Sequence, residues 1–552
     1  MSTLKTPPPP PEHQYDYIVV GGGTAGCILA NRLTASGEYR VLMVEAGKTG
    51  KGFWIPIPAG FSKLLTNPIF NWRFKTEPEE SVNGRSIAIP RGKGLGGSTL
   101  INGMIYVRGQ PEDYDRWARE DGAQGWGYDE VAPYFRRVEH TAVGDEERGR
   151  DGPMRITEVQ ERYPISEAFL RAAQEDGQLL NADYNGRNQE GFGYYQVSQW
   201  RGRRWSVVDG YLLPARHRSN LTVMTEAMVT SLDLDGPRCT GITISLKSGS
   251  IIKVGAKREV VMAAGAIQTP QLLELSGIGR PDVLEQAGIP VAHALPGVGE
   301  NYIDHYATRM NWRVKGTRTL NEMTRGYRLA LSVAEYYSKR TGILTLGTGL
   351  AFGFVKTRPE MLTPDVQFFF MHASYANAAE RRLDKSPGMT IGVAQLRPKS
   401  RGSIHVRHSD PAQAPRIRPN LLGDPGDGHC LVEGMKIARR IVNQPAMQQY
   451  VDAELNPGPG CCSDKQWLDF ARQNGQTIYH PIGTCRMGTD ALAVVDPRLK
   501  LRGLEGIRVI DASVMPSMVS GNTQAAVMMI AEKGADMILQ DAAASRSTSR
   551  GL

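Results

Sequence analysis

At 552 residues the chain is too long for one simple core, so two or more lobes are expected. Its composition, 41% hydrophobic and 22% charged, suits a globular protein, and no apolar run reaches the roughly 18 residues of a membrane-span candidate. The net charge of +8 is spread among acidic residues along the chain, which reads as a solvated surface and argues against nucleic acid as a partner.

The first 14 residues hold one lysine and a five-proline run with no apolar stretch, which predicts a disordered or polyproline II lead rather than a secretory signal. A β-prone run, Tyr15–Val20, is followed by a glycine-rich turn at 21–26, a helical pattern over 27–36 and a second strand over 40–44 that ends at Glu45. Residues 50–89 are irregular and rich in proline, glycine and aromatics; they suit a loop folded over a ligand or an aromatic-pinned surface loop. A second glycine-rich stretch spans 92–103, and a charged segment at 144–152 reads as a surface excursion. Strand-like runs at 221–225 and 258–263 lead into a helix over 269–275. Residues 310–475 alternate strand and helix signals without a nucleotide motif and read as a separate substrate lobe. The chain closes with a strand at 506–510, a helix from about 522 to 540 and a tail expected to be flexible over 541–552. Six scattered cysteines, with no C-x-x-C pair, offer neither a disulfide framework nor a zinc site and favour a reducing, cytoplasmic setting.

The turn is a Gly21-x-Gly23-x-x-Gly26 motif that follows a strand, opens a helix and has an acid, Glu45, at the end of the next strand. Gly21 permits the tight turn, Gly23 admits a pyrophosphate against the backbone, and Gly26 lets helix and strand pack closely. The helix N-terminus then faces the phosphates and Glu45 can accept from ribose hydroxyls. No second such motif follows a strand, so one dinucleotide is expected, and it must be the redox cofactor. The motif alone does not separate NAD from FAD.

Four further stretches do. Residues 91–102 (RGKGLGGSTLIN) resemble the first signature of the GMC (glucose–methanol–choline) oxidoreductase family, and 265–279 (GAIQTPQLLELSGIG) resemble its second. Residues 479–488 (YHPIGTCRMG) look like the segment that holds the family's catalytic histidine; 509–516 (VIDASVMP) and 521–523 (GNT) look like its C-terminal flavin motif. The resemblance implies an α/β protein: a Rossmann-like FAD-binding lobe built from 15–155, 205–310 and 480–540, and a substrate lobe from 156–204 and 311–479 on a six-stranded antiparallel sheet flanked by helices. It implies FAD contacts at Gly21, Gly23, Thr24, Ala25, Gly26 and Glu45 for the ADP part. Arg91, Gly92, Gly96, Gly97, Ser98, Asn102 and Met104 would line the pyrophosphate and isoalloxazine. Val229 would meet the adenine through its backbone, and Ala264, Asp511, Ala512, Asn522, Thr523 and Gln524 would close the site.

Two departures bear on chemistry. Where some members carry a histidine bonded to FAD this chain has Ile101, which has no nucleophilic atom, so non-covalent FAD is expected. Where choline-oxidising members place a glutamate, the aligned residue is Leu350, which removes a cation anchor and makes choline a poor candidate. Alcohol oxidation needs a base near neutrality for the hydroxyl proton and an acceptor for the hydride. The resemblance assigns His480 as that base and Asn522 as the hydrogen-bonding partner of the substrate oxygen, although Asn522 also suits the N-cap of the last helix. Tyr479 is a pocket candidate; His217 and His305 read as structural, and Cys485 as an inert buried thiol. The expected reaction is oxidation of a primary alcohol, uncharged or aromatic, with oxygen, a quinone or another acceptor taking the electrons. Hydroxynitrile lyases and light-driven fatty-acid decarboxylases share the family, and they are the alternative. Oligomeric state is not legible.

Overall fold

The computed structural model describes residues 14–377 and 382–550, so all but the last residue of the proline-rich lead lies outside the described residues. The first unit is β1 (Tyr15–Val20), α1 (Thr24–Leu33) and β2 (Val41–Val44), with β1 and β2 parallel and in register from Tyr17–Val41 to Val20–Val44. The helix starts three residues before the expected Cys27, because the turn hands straight into it: the Cys27 N–H already bonds the Gly23 carbonyl at 3.0 Å. A Cβ on Gly26 would sit 1.9 Å from the Gly21 carbonyl oxygen, so no larger residue lets α1 cross β1 this closely.

Further along come β3 (Gly191–Tyr194), β4 (Leu221–Met224), β5 (Ala227–Asp235), β6 (Arg238–Leu246), β7 (Ile251–Met262) and α2 (Gly265–Leu275). β7 is twice the expected length because it serves two pairings. Residues 251–255 pair antiparallel with β6, while its later part lies parallel to β1. α2 begins at Gly265, not at 269; Pro270 sits inside it. Proline has no N–H to bond the carbonyl four residues back, and the freed Ala266 carbonyl accepts from the Thr484 hydroxyl at 2.6 Å.

The remaining elements used below are β8 (Tyr306–Val314), α3 (Gly326–Lys339), β9 (Ala351–Val355), β10 (Val366–Met371), β11 (Gly388–Gln395), α4 (Pro425–Val442), β12 (Val451–Asn456), β13 (Gln476–Thr477), β14 (Ile507–Val509) and α5 (Gln524–Arg550). One sheet runs β4-β2-β1-β7-β6-β5, with β14 parallel to β7. The other runs β12-β8-β11-β10-β9-β3. The expected six strands form this path, and a seventh, β13, pairs antiparallel with the start of β8. β8 belongs wholly to this sheet and straddles residue 310. Alternation along β10 and β11 sends Val366 and Val393 toward α4, where they pack against Gly434, and leaves Phe369, Met371, Thr390 and Gly392 for the opposite face.

Two charged stretches differ from expectation. Within 144–152, Arg148 is fully buried, 2.9 Å from Glu139 and 2.6 Å from Asp183, so the excursion is pinned to the body. At the C-terminus α5 continues to Arg550, and Asp541 is bonded by Arg508 and Lys500 at 2.6 and 2.9 Å, which anchors residues expected to be a tail. Among the described residues no helix is long and apolar enough to cross a membrane.

Candidate functional site

One cavity between the two sheets is lined by the glycine turn, residues 90–105, the starts of α2 and α5, strands β8, β10 and β11, and residues 478–481. Of the expected cofactor residues all but Gly26 and Gly96 line it. Gly26 is consumed by packing, and Gly96 is turned toward Leu100 and Val208. The cavity is long. Glu45 and Val229 line it along with the glycine turn, and His480, Asn522, Tyr479 and the second sheet line its other part.

The glycine-rich part has the features of an anion cradle. α1 has no side-chain cap, so its first N–H groups, at Thr24 and Ala25, open toward the cavity. The second glycine stretch presses on the first: a Cβ at Gly97, which is left-handed at φ +52°, would lie 2.7 Å from the Gly23 Cα. Glu45 holds the two together, accepting from the N–H groups of Gly22 (2.9 Å), Gly47 (2.7 Å) and Gly94 (3.0 Å). Burial pushes its carboxyl up. A carboxylate offers about four acceptor positions, so roughly one remains for a ribose hydroxyl.

Asp511 departs from its expected role. One oxygen accepts from Gly265 N (2.8 Å) and Thr269 Oγ1 (2.6 Å), the other from Ser513 N (2.8 Å) and Ser513 Oγ (2.6 Å). Its acceptor positions are spent on bracing α2 against the turn, and it shapes the cavity wall without a lone pair to offer. Gln524 is the converse case: its Oε1 accepts from Asn102 Nδ2 at 2.5 Å, while its buried Nε2 has no partner among the described residues and is a donor available to a ligand.

His480 is reached through strand pairing. β13 pairs with β8 at Tyr306–Thr477, and past it the Ile478 N–H bonds the His305 carbonyl while Ile303 and Ile482 exchange hydrogen bonds of 3.2 and 2.9 Å. The segments 301–305 and 478–482 therefore run antiparallel, which sets Asp304 and His305 opposite His480. Asp304 Oδ1 accepts from the His480 N–H at 2.8 Å, and burial pushes the Asp304 carboxyl up to about 7. Arg91 donates from Nη2 to the Tyr479 carbonyl at 2.5 Å. That bond secures a residue in the left-handed region, Tyr479 at φ 70°, where a non-glycine backbone is strained.

Among the described residues each ring nitrogen of His480 has one hydrogen-bonding neighbour. His305 Nε2 lies 2.8 Å from the Leu396 carbonyl, which can only accept, so Nε2 carries the hydrogen. Burial pushes His305 down to about 4; its ring is neutral and its Nδ1 is bare. The His480 Nδ1, 3.1 Å away, must donate to it. Burial, helped by the Arg91 charge, holds His480 well below the usual histidine range, so its Nε2 is bare as well. Asn522 Nδ2 sits 3.2 Å from that nitrogen, and Asn522 Oδ1 accepts from Gln367 Nε2 at 3.4 Å. The N-cap expectation for Asn522 is not met: α5 starts two residues later, and the Asn522 side chain turns into the cavity. A bare imidazole nitrogen beside an amide donor, both facing the cavity, can accept a proton from a hydroxyl whose oxygen the amide holds.

Sequence reasoning missed Asp304 and Gln367 and took His305 as structural; an adjacent Asp-His pair is the one mark the first and last of these carry. Arg309 was also missed. It lines the cavity, and the Gln476 carboxamide, with its oxygen turned toward Arg309, accepts from both terminal nitrogens at 2.6 and 2.7 Å. Leu350 is fully buried but is not among the cavity-lining residues, so its identity does not set the charge of the pocket.

Family models described as GMC oxidoreductase match residues 15–307 and 398–531. Alcohol dehydrogenase (acceptor) of Pseudomonas putida is 39% identical over 533 residues, 95% of this chain and 96% of that one. Oxygen-dependent choline dehydrogenase of Escherichia coli is also 39% identical, over 97% of this chain and 96% of its own. Among solved structures, pyridoxine 4-oxidase from Mesorbium loti superposes with a TM-score of 0.85 at 29% identity, covering 94% of this chain and 98% of that one.

Proposed function

Because the chain belongs to the GMC oxidoreductase family, FAD-dependent enzymes acting on CH–OH donors, we propose that it oxidises a primary alcohol, uncharged or aromatic, to the aldehyde, with His480 Nε2 as the base. The observation that carries this reading is the hydrogen-bond chain Leu396 carbonyl–His305–His480–Asn522, which leaves one unprotonated nitrogen facing the cavity.

The residues fit FAD. The uncapped N-terminus of α1, the Gly23–Gly97 approach that a Cβ would block, and the unpartnered Gln524 Nε2 offer donors and space for a dinucleotide. Gly21, Gly23, Thr24 and Ala25 would hold the pyrophosphate, Glu45 and Val229 the adenosine, and Arg91, Gly92, Ser98, Asn102, Met104, Ala264, Ala512 and Thr523 the remainder. Ile101 lines the cavity and offers no nucleophile, which supports a non-covalent cofactor. When bound, FAD supplies the hydride acceptor at its N5.

The chain's own groups do the rest. Asn522 donates to the substrate oxygen and orients it. His480 takes the hydroxyl proton at Nε2, and the His305 Nδ1 lone pair steadies the imidazolium through the Nδ1–H that already points at it. The start of α5 lines the same space, where its dipole favours negative charge. Phe369, Met371 and Tyr375 give the substrate an apolar wall. Among the described residues the carboxylates lining the cavity are Glu45 and Asp511, both already committed to backbone N–H groups, while Arg309 adds positive charge. A quaternary ammonium therefore has no anionic partner there, which sets this chain apart from what the name of its choline-dehydrogenase relative would suggest.

The test is anaerobic rapid mixing of the FAD-loaded protein with benzyl alcohol, with choline and with a mandelonitrile. Loss of the oxidised-flavin band with benzyl alcohol at a rate well above that with choline is expected. Equal rates with choline would overturn the substrate reading, and cleavage of the nitrile without flavin bleaching would overturn the reaction itself.

A further inference from the structure

α3 is inside out. A surface helix ordinarily turns its apolar stripe to the core, yet only Ser332 and Tyr336 of α3 are buried, both on one side of the helix. At 100° per residue, Tyr327, Leu331 and Ala334 fall on the opposite side, with Ala330, Val333 and Tyr337 beside them. Tyr327 is 71% exposed, Leu331 63% and Tyr337 49%. The neighbouring surface extends the patch. The turn Ile343–Thr345 that follows α3 packs on Pro58–Gly60, next to which Phe53 (65% exposed) and Trp54 also face solvent.

The rim of this patch is basic. Residues 318–340 contain Arg318, Arg325, Arg328, Lys339 and Arg340 against two acids, Glu322 and Glu335. Glu322 is 3.6 Å from Arg328, and Glu335 accepts from Thr341. Gly202 lies against the Arg340 carbonyl, which brings the exposed Arg201 and Arg203 to the same end. Arg328 and Arg340 lie over the rings of Tyr327 and Tyr337, so guanidinium charge accompanies both exposed tyrosines.

We propose that α3 and its basic rim dock this protein on an anionic lipid bilayer, with the helix lying in the headgroup layer and Tyr327, Leu331 and Tyr337 inserted. An outward apolar face flanked by arginine and lysine is the pattern of an interfacial helix. Its 14 residues are too few to span a bilayer. A second copy of the chain is the poorer occupant, because a two-fold contact would bring the same basic rims together. An anionic headgroup layer meets both the charge and the apolar face.

The experiment is flotation of the full FAD-loaded chain with vesicles of equal parts phosphatidylglycerol and phosphatidylcholine, and with phosphatidylcholine alone. Binding to the anionic vesicles that weakens with added salt is expected. The triple variant Arg318→Gln, Arg328→Gln, Lys339→Gln should lose affinity about fivefold per charge removed. Tyr327→Ser with Leu331→Ser should abolish flotation, while flavin absorbance and the rate of reduction by alcohol in solution stay unchanged. Failure of the unaltered protein to float, or equal flotation of the variants, overturns the proposal. So does sedimentation showing a dimer that Leu331→Ser splits, which would assign the face to a second copy.

Discussion

Replacing His305 by phenylalanine keeps an aromatic ring at a buried position and removes both nitrogens. The His480 Nδ1–H then loses its 3.1 Å acceptor, and among the described residues no other group bonds that nitrogen. A neutral hydrogen bond of this kind contributes about 1 kcal/mol net. Without it the imidazole is free to carry its proton on Nε2, where it faces Asn522 and cannot act as base. A loss of about 1 kcal/mol in the reacting arrangement corresponds to roughly fivefold in rate, whereas His480→Ala should cost at least about 10². Single-turnover flavin reduction by alcohol, measured without oxygen, reads both. Because His305 acts only through His480, the double variant should be no slower than His480→Ala alone. Two results would refute the reasoning: undiminished reduction in His305→Phe, or a further loss of about fivefold when it is added to His480→Ala.

Three other outcomes are expected. Reduction should stay at full rate as pH falls below the ordinary histidine range, since burial and the Arg91 charge hold His480 neutral; a loss of rate centred near 6.5 would contradict it. Asp304 faces the same segment and takes up a proton near pH 7, so the profile is compared with that of Asp304→Asn. Glu139→Gln should lower stability by about 3–5 kcal/mol in urea melts, because it leaves Arg108 and Arg148 buried without their shared carboxylate. Although burial raises the Glu139 carboxyl, the two guanidiniums hold it down to about 2. Its contribution of about 3 kcal/mol is therefore present above the unfolded-state value near 4.5 and fades as pH falls toward 2. Gly97→Ala should purify with much less FAD, since its Cβ meets the Gly23 Cα at 2.7 Å on a backbone at φ +52°; normal flavin content would contradict the cradle assigned to these loops.

How far the chain could be read depended on how local each feature is. β1, the glycine turn, α1, β2 and Glu45 were legible because their constraints sit within some thirty residues, and each glycine answers a steric demand of its own backbone. The family resemblance extended this to His480, Asn522 and most of the cavity wall. Asp511 and Leu350 show its limit: the first spends its carboxylate on Gly265, Thr269 and Ser513, and the second is buried without lining the cavity. Boundaries moved where tertiary partners completed an element. Thr484 occupies the carbonyl that Pro270 leaves open in α2, and Arg508 and Lys500 hold the last turns of α5 through Asp541.

The sequence by itself carried a dinucleotide-binding motif on a β-α-β turn, legible from residue type and short spacing, and it offered His480 as the base candidate through the family resemblance. Only the tertiary structure decided which nitrogen of that histidine is bare. That property comes from His305, 175 positions away and brought alongside by the pairing of β13 with β8, and from a carbonyl that can only accept. A tautomer depends on the partners a ring meets in space, and no pattern within one strand or helix encodes them.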